Sequence, residues 1–248
     1  RYSPEFKWPK GINSVEVTDR KIIDRLTQEG RNIITDLQEL TEHVSIQLSS
    51  EENKPASIRL AGGYGIYREA AKLTIEELLN KPHQWHKVKN TYDRVRTQLE
   101  QQAIQLGKVA IKELKLNNIH FEIVKMLGAL NWRTSYRQNQ FYHSLEVAKL
   151  AGILANELGV DPEAAKRSGL LHDIGKGIDY RIEGSHAVIS GDYADRFGES
   201  KEICDAVMSH HSDLVLETPL SYVLRAAVNM SGARPGARVN LAEGAQDR

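Results

Sequence analysis

Cysteine is almost absent: Cys204 stands alone in a chain of 248 residues. That excludes an intramolecular disulfide framework and a Cys-rich zinc site, and it fits a reducing compartment. No apolar run approaches the roughly 18–20 residues that a membrane-spanning helix needs. The charged-then-apolar pattern of a secretory signal is also missing. The chain is therefore expected to be cytoplasmic, with no membrane contact of its own. Net charge is lacking too, because 33 Lys+Arg balance 33 Asp+Glu. Whole-molecule attraction to nucleic acid is not expected, so any such binding must come from local patches. No internal repeat is visible. The Gly-rich stretch AGGYG (Ala61–Gly65) has neither the phosphate-cradle nor the dinucleotide spacing, and reads as a flexible strand-to-helix turn. Trp8, Trp85 and Trp132 form no base-stacking series and read as packing anchors.

What is present suffices for a packed core, with 40% hydrophobic and 27% charged residues. Three regions differ in character. Residues 13–80 mix strands and helices. VEV (Val15–Val17), HVSIQLS and SIRLAG read as strands; the stretch around Gly30 reads as two helical pieces, and IYREAAKLTIEELLN as an amphipathic helix. Residues 82–116 are polar, with a thin apolar face on Val88, Val95, Leu99, Ile104, Val109 and Leu114. They are expected to form a long connecting helix that needs a partner surface. Residues 118–235 read as entirely helical. One helix carries Phe141, Leu145, Ala148, Leu154 and Leu158 at helical spacing and stops at Gly159. Others start with Asp161–Pro162 and Thr218–Pro219, a cap followed by proline, and another with Ser185 as cap. The expected fold is an α+β N-terminal module followed by an all-α domain, predominantly helical throughout.

Five of the nine histidines, His143, His172, His186, His210 and His211, fall at the expected helix ends. In SGLLHDIGKGID (Ser168–Asp179), His172 sits directly beside Asp173. Helix ends packed side by side can bring such residues to one point. Neighbouring side chains in mid-helix diverge by about 100°. At a helix end, where Gly175 lets the backbone turn, the His-Asp pair can converge on one ion, or straddle two with Asp173 as the bridge. Neutral imidazole and carboxylate suit zinc, manganese, iron or nickel, whereas magnesium prefers oxygen. Taken singly, each histidine is also read as a partner of its helix dipole, and His210–His211 as a solvated helix end.

The stretches YHSLEVAKLAGILANELG, SGLLHDIGK, EGSH, SHHSD and ARPGAR resemble the HD superfamily of metal-dependent phosphohydrolases, and within it the ribonuclease Y family. NWRTSYRQNQ before His143 adds to the likeness, and EGRNI (Glu29–Ile33) resembles the RNA-binding KH domain of that family. The resemblance spans about residues 13–238 and implies a KH-like module at 13–80, a helical linker at 82–116 and an HD domain at 118–240. It implies His143, His172, Asp173, His186, His210 and His211 as ligands of one or two divalent ions per chain (Mn, Mg, Zn, Fe or Ni). His172, Asp173 and Lys176 would be catalytic. Arg133, Arg137, Arg234, Arg238, Gly30 and Arg31 would contact RNA phosphates. Val228 stands where the family has an aspartate, and valine offers no donor atom. In the KH-like loop Thr27 replaces the first glycine of Gly-x-x-Gly, and Glu29 puts negative charge where phosphates would lie, partly offset by Arg25 and Arg31.

The implied function is metal-dependent endoribonucleolytic cleavage of single-stranded RNA in RNA turnover. A homodimer, other RNA-decay proteins as partners, and a membrane tether in a segment preceding this one are implied as well. Two alternatives stay open. One is a cyclic-dinucleotide or nucleotide phosphodiesterase of the same superfamily. The other is a catalytically weakened RNA-binding or scaffold protein, to which Val228 and the altered loop both point.

Overall fold

A computed structural model describes residues 14–28, 32–49, 55–135, 138–211 and 217–234. The chain divides into two compact units, residues 1–99 and 100–248.

The first unit begins with β1 (Ser14–Val17), α1 (Arg20–Thr27), α2 (Ile33–Leu40), β2 (Val44–Ser49), β3 (Ala56–Gly62) and α3 (Gly65–Leu79). The three strands form an antiparallel sheet in the order β1-β3-β2, with Val15 opposite Ile58 and Ile46 opposite Leu60. Alternation decides which face is buried: Val15, Val17, Val44, Ile46, Ile58 and Leu60 all point inward. Leu26, Ile33, Leu37, Ile66, Ile75 and Leu78 from the helices are buried with them. Asn32 organises the entry to α2. Its side chain accepts from Ile34 N–H at 2.9 Å and donates to Leu26 C=O at 3.2 Å, so it ties the end of α1 to the start of α2. The AGGYG turn has a steric reason. Gly62 and Gly63 have φ of 74° and 61°, and a Cβ on Gly63 would lie 2.5 Å from Val44. Trp85, in a short 3-10 turn at Pro82–Lys87, is a packing anchor as expected. Its indole donates to Leu78 C=O at 2.9 Å, and Arg25 lies 4.0 Å over its ring.

The long helix α4 (Val88–Leu114) contains the division between the units, at Leu99/Glu100. The second unit continues with α5 (Phe121–Ala129), α6 (Gln140–Leu158), α7 (Pro162–Leu171), α8 (His186–Arg196), α9 (Lys201–Met208) and α10 (Pro219–Ala233). Its core gathers Ile123, Val147, Ala151, Leu171, Ile174, Val207, Leu224 and Ala227. Small residues at the crossings permit close backbones: a Cβ on Gly169 would stand 2.7 Å from Ala148 Cα, between α7 and α6. Three of the expected stops and caps are in place. Asp161 accepts from Glu163 N–H, Thr218 and Ser221 form a reciprocal capping box, and Gly159 ends α6 in the left-handed conformation at φ 70°.

Several details differ from the sequence reading: the long helix expected over 82–116 begins at Val88 after a 3-10 turn, and Val109, expected on its apolar face, is 59% exposed. The helical region contains a two-residue antiparallel pairing, β4 (Thr134–Ser135) with β5 (Gln138–Asn139), too short to register as period-two alternation. Leu158, in the last turn of α6, is 66% exposed. Ser185 precedes α8, but its side chain makes no capping hydrogen bond. Among the described residues, no helix is long and apolar enough to cross a membrane.

Arg167 of α7 grips Glu199 with two bonds of 2.8 Å and donates to Asn117 C=O at 2.7 Å. The Glu199 side chain is 2% exposed. Arg167→Met leaves that carboxylate buried without its partner and should lower unfolding free energy by about 3 kcal/mol. Urea denaturation reads this, and unchanged stability would show that Glu199 finds another partner.

Candidate metal centre

Four helix ends meet at one point. Asn139 caps α6, accepting from Phe141 and Tyr142 N–H groups, which sets His143 in the first turn of that helix. His172 closes α7 with helical backbone angles, φ −54° and ψ −34°. Asp173 then leaves the helix at φ −110°, ψ 11° and opens a 3-10 turn at Ile174–Gly177. That change of backbone swings the Asp173 carboxylate round to the imidazole of its neighbour. His186 is the first residue of α8, and His210 and His211 follow the end of α9.

Gly175 has a different role from the expected one. It carries no positive φ among the described glycines, so the turn does not depend on glycine conformation. The constraint is steric: a Cβ there would lie 2.7 Å from His186 C=O and 2.8 Å from Ser190 N. Gly175 N–H also donates to Ser190 Oγ at 2.8 Å. Glycine lets the start of α8, and His186 with it, approach the His-Asp pair.

Among the described residues, two groups could each hold a metal ion: His143, His172 and Asp173, and His186, His210 and His211. Asp173 lies between them. Its Oδ2 is 3.1 Å from His172 Nε2 and 3.7 Å from His143 Nε2. Its Oδ1 is 3.4 Å from His186 Nε2 and 3.8 Å from His210 Nε2. Nε2 faces inward in each case because Nδ1 is engaged elsewhere in the most buried rings. His172 Nδ1 donates to Gly169 C=O at 2.8 Å and His210 Nδ1 to Val207 C=O at 2.6 Å. His143 Nδ1 bonds Ser231 Oγ at 3.0 Å.

The polar atoms left over match a cation. Asp173 Oδ1 and His210 Nε2 are both buried with no hydrogen-bond partner. With its proton on Nδ1, His210 presents a lone pair to a carboxylate oxygen. Two buried acceptors facing one another repel unless positive charge lies between them. The Nε2 atoms of His143 and His172 approach to 3.3 Å, and those of His186 and His211 to 3.0 Å. Burial lowers the pKa of His186 to about 4, with Asp173 opposing and Lys176 adding to the shift. Burial likewise holds His210 well below the ordinary histidine value. Both rings are neutral at pH 7, the form that coordinates metal. Burial pushes the Asp173 pKa up, but the Lys176 ammonium beside Oδ2 helps to hold it well below the ordinary carboxylate value.

An HD-domain family model matches residues 141–241. The chain is 39% identical over 246 residues to ribonuclease Y of Geobacter metallireducens, an alignment that covers 98% of this chain and 46% of that protein. It is 43% identical over 213 residues to ribonuclease Y of Acetivibrio thermocellus, covering 85% and 40%. Against ribonuclease Y of Fervidobacterium nodosum the figures are 39% over 241 residues, 96% and 46%. The chain belongs to the ribonuclease Y family. It spans just under half the length of these relatives. No solved structure matches it.

Within this ribonuclease Y homologue, all six residues expected to bind metal share one centre. Lys176 joins them, with its ammonium 2.8 Å from Asp173 Oδ2 and 3.0 Å from Gln140 Oε1. The arginines expected at phosphates have other partners. Arg133 donates to Asp179 at 2.7 Å, and Arg234 pairs with Glu146. Gly30, Arg31, Arg137 and Arg238 lie outside the described residues. Val228 is buried in the core with Ile174, Leu171 and Val207, one turn before Ser231 on α10. Sequence reasoning missed Gln140, Glu146, Asp179, Ser190 and Ser231. Each lies within about two turns of a residue it did single out, but only the packing of α6, α8 and α10 shows which neighbours face the centre.

His172→Ala should abolish bound metal in elemental analysis of the purified protein, and retention of the full wild-type content would refute the site. Gly175→Ala should push His186 away and lower metal stoichiometry in calorimetric titration, with the His143 group still loaded.

Proposed function

We propose that this chain forms the RNA-cleaving part of a metal-dependent endoribonuclease that acts on single-stranded RNA in RNA turnover. The observation that carries the reading is Asp173, whose two oxygens face two histidine groups around one buried centre. The name of its relatives, ribonuclease Y, supports RNA as the substrate. Nitrogen and carboxylate donors suit manganese, zinc, iron or nickel better than magnesium.

A divalent cation held at this centre would acidify water and draw charge from phosphoryl oxygens. The protein's own contribution is preorganisation. The outward Nδ1 bonds keep His172 and His210 aimed inward, so little rearrangement accompanies binding. Lys176 holds Asp173 Oδ2 and adds positive charge where a phosphodiester would sit. His172, Asp173 and Lys176 are the proposed catalytic group.

The first unit is proposed as a KH-type RNA-binding module. Its order β-α-α-β-β-α and its antiparallel β1-β3-β2 sheet support this. So does Asn32, which ties the end of α1 to the start of α2. A homodimer belongs to the same proposal, and sedimentation equilibrium tests it.

Val228 favours a second reading, in which the chain binds RNA and metal but cleaves weakly. It contributes no ligand from α10 and lies 5% exposed among apolar side chains. Val228→Asp should raise metal content and metal-dependent phosphodiesterase activity. It should also lower the melting temperature of the metal-free protein, since the new carboxylate is buried, and metal should restore it. Equal metal content and activity in both forms would remove Val228 from the account. A 5′-monophosphorylated RNA and a cyclic dinucleotide assayed in parallel separate the substrates. Cleavage of the cyclic dinucleotide alone would overturn the ribonuclease reading, and binding without cleavage of either would favour the weakened form.

A further inference from the structure

Three buried histidines turn Nε2 towards the centre, but they do so by different means. His172 and His210 each bond a carbonyl in the preceding turn of their own helix. A carbonyl only accepts, so both rings carry a proton on Nδ1, and in the neutral ring Nε2 is then left as a lone pair. His143 reaches instead across to α10, where its Nδ1 meets Ser231 Oγ at 3.0 Å. A hydroxyl can accept or donate, so this contact by itself leaves the tautomer of His143 open.

We infer that Glu146 and Ser231 are positioning residues that fix the proton of His143 on Nδ1. Ser231 has one hydroxyl proton, and it goes to Glu146 Oε2 at 2.7 Å. Arg234 pairs with that same carboxylate oxygen from the end of α10. The carboxylate can only accept, so Ser231 must accept from His143. Nδ1 of His143 therefore carries the hydrogen, and Nε2 offers its lone pair beside His172 Nε2 and Asp173 Oδ2. Glu146 lies one turn after His143 on α6, and Ser231 is fully buried. The chain Arg234–Glu146–Ser231–His143 thus joins α6 and α10 and ends on a metal-facing nitrogen. Val228 removes a donor from α10, and Ser231, one turn further on, still lets that helix act on the centre through His143. Arg234, which the sequence suggested for RNA phosphate, serves here as the clamp on Glu146.

The inference rests on the metal-centre reading, and its test separates the two. Nitrogen-detected correlation spectra of the metal-free wild-type protein, with the His143 signals assigned by His143→Gln, report the tautomer directly. The expected result is a protonated Nδ1 and an unprotonated Nε2; the opposite tautomer overturns the inference whatever the variants do. Glu146→Gln keeps the shape but can donate its amide proton to Ser231, which frees the serine hydroxyl to donate to His143. It should move the proton to Nε2 and weaken Mn²⁺ binding by calorimetry about tenfold or more, with unchanged urea denaturation of the metal-free protein. Ser231→Ala should lose the tautomer preference. A tautomer unchanged in Glu146→Gln, or Mn²⁺ affinity within error of wild type, overturns the positioning role. A wild-type protein that binds no metal at all but shows the expected tautomer would fail the metal-centre reading and leave the proton assignment standing.

Discussion

Asp173 holds a negative charge 2% exposed to solvent, at the meeting point of four helix ends. A carboxylate in that position is costly unless positive charge surrounds it closely. Lys176 answers part of the cost at Oδ2. Oδ1 has no hydrogen-bond partner among the described residues, with His186 Nε2 at 3.4 Å and His210 Nε2 at 3.8 Å. The second unit is arranged around this constraint. α6, α7, α8 and α9 each deliver an end rather than a middle to this point.

The supporting contacts give that convergence its precision. Asn139 sets the phase of α6, the Gly169 and Val207 carbonyls aim His172 and His210, and Ser190 holds the 3-10 turn after Asp173. Gly175 admits α8 to the same point by leaving out a side chain. A ligand atom displaced by about an ångström would spoil the centre, so these contacts matter as much as the ligands. They also explain why α10, without an acidic ligand at Val228, remains coupled to the centre through Ser231.

Much of the architecture was legible in the sequence because it is local. The alternation in VSIQLS and SIRLAG, the cap-proline pairs at Asp161–Pro162 and Thr218–Pro219, and the stop at Gly159 act over a few residues. Each appears in the structure where the pattern placed it. The His-Asp pair and the other histidines at helix ends were legible as a set, because metal coordination needs those residue types. The short β4–β5 pairing and the exposure of Leu158 were not, since the first is too brief to show a period and the second depends on which face of α6 the tertiary packing covers.

Sequence by itself determined most of the helices, the three strands of the first unit, the ligand types and the absence of a donor at Val228. Each of those follows from residue chemistry within a turn or two of chain. Tertiary structure alone decided that Asp173 faces two histidine groups, that Gly175 serves close approach, and that Arg133 and Arg234 hold carboxylates. It also brought Glu146 and Ser231, 85 residues apart, into one hydrogen bond. The physical reason is range: propensity and capping act along the chain, whereas the direction of a buried side chain is set by what packs against it from elsewhere.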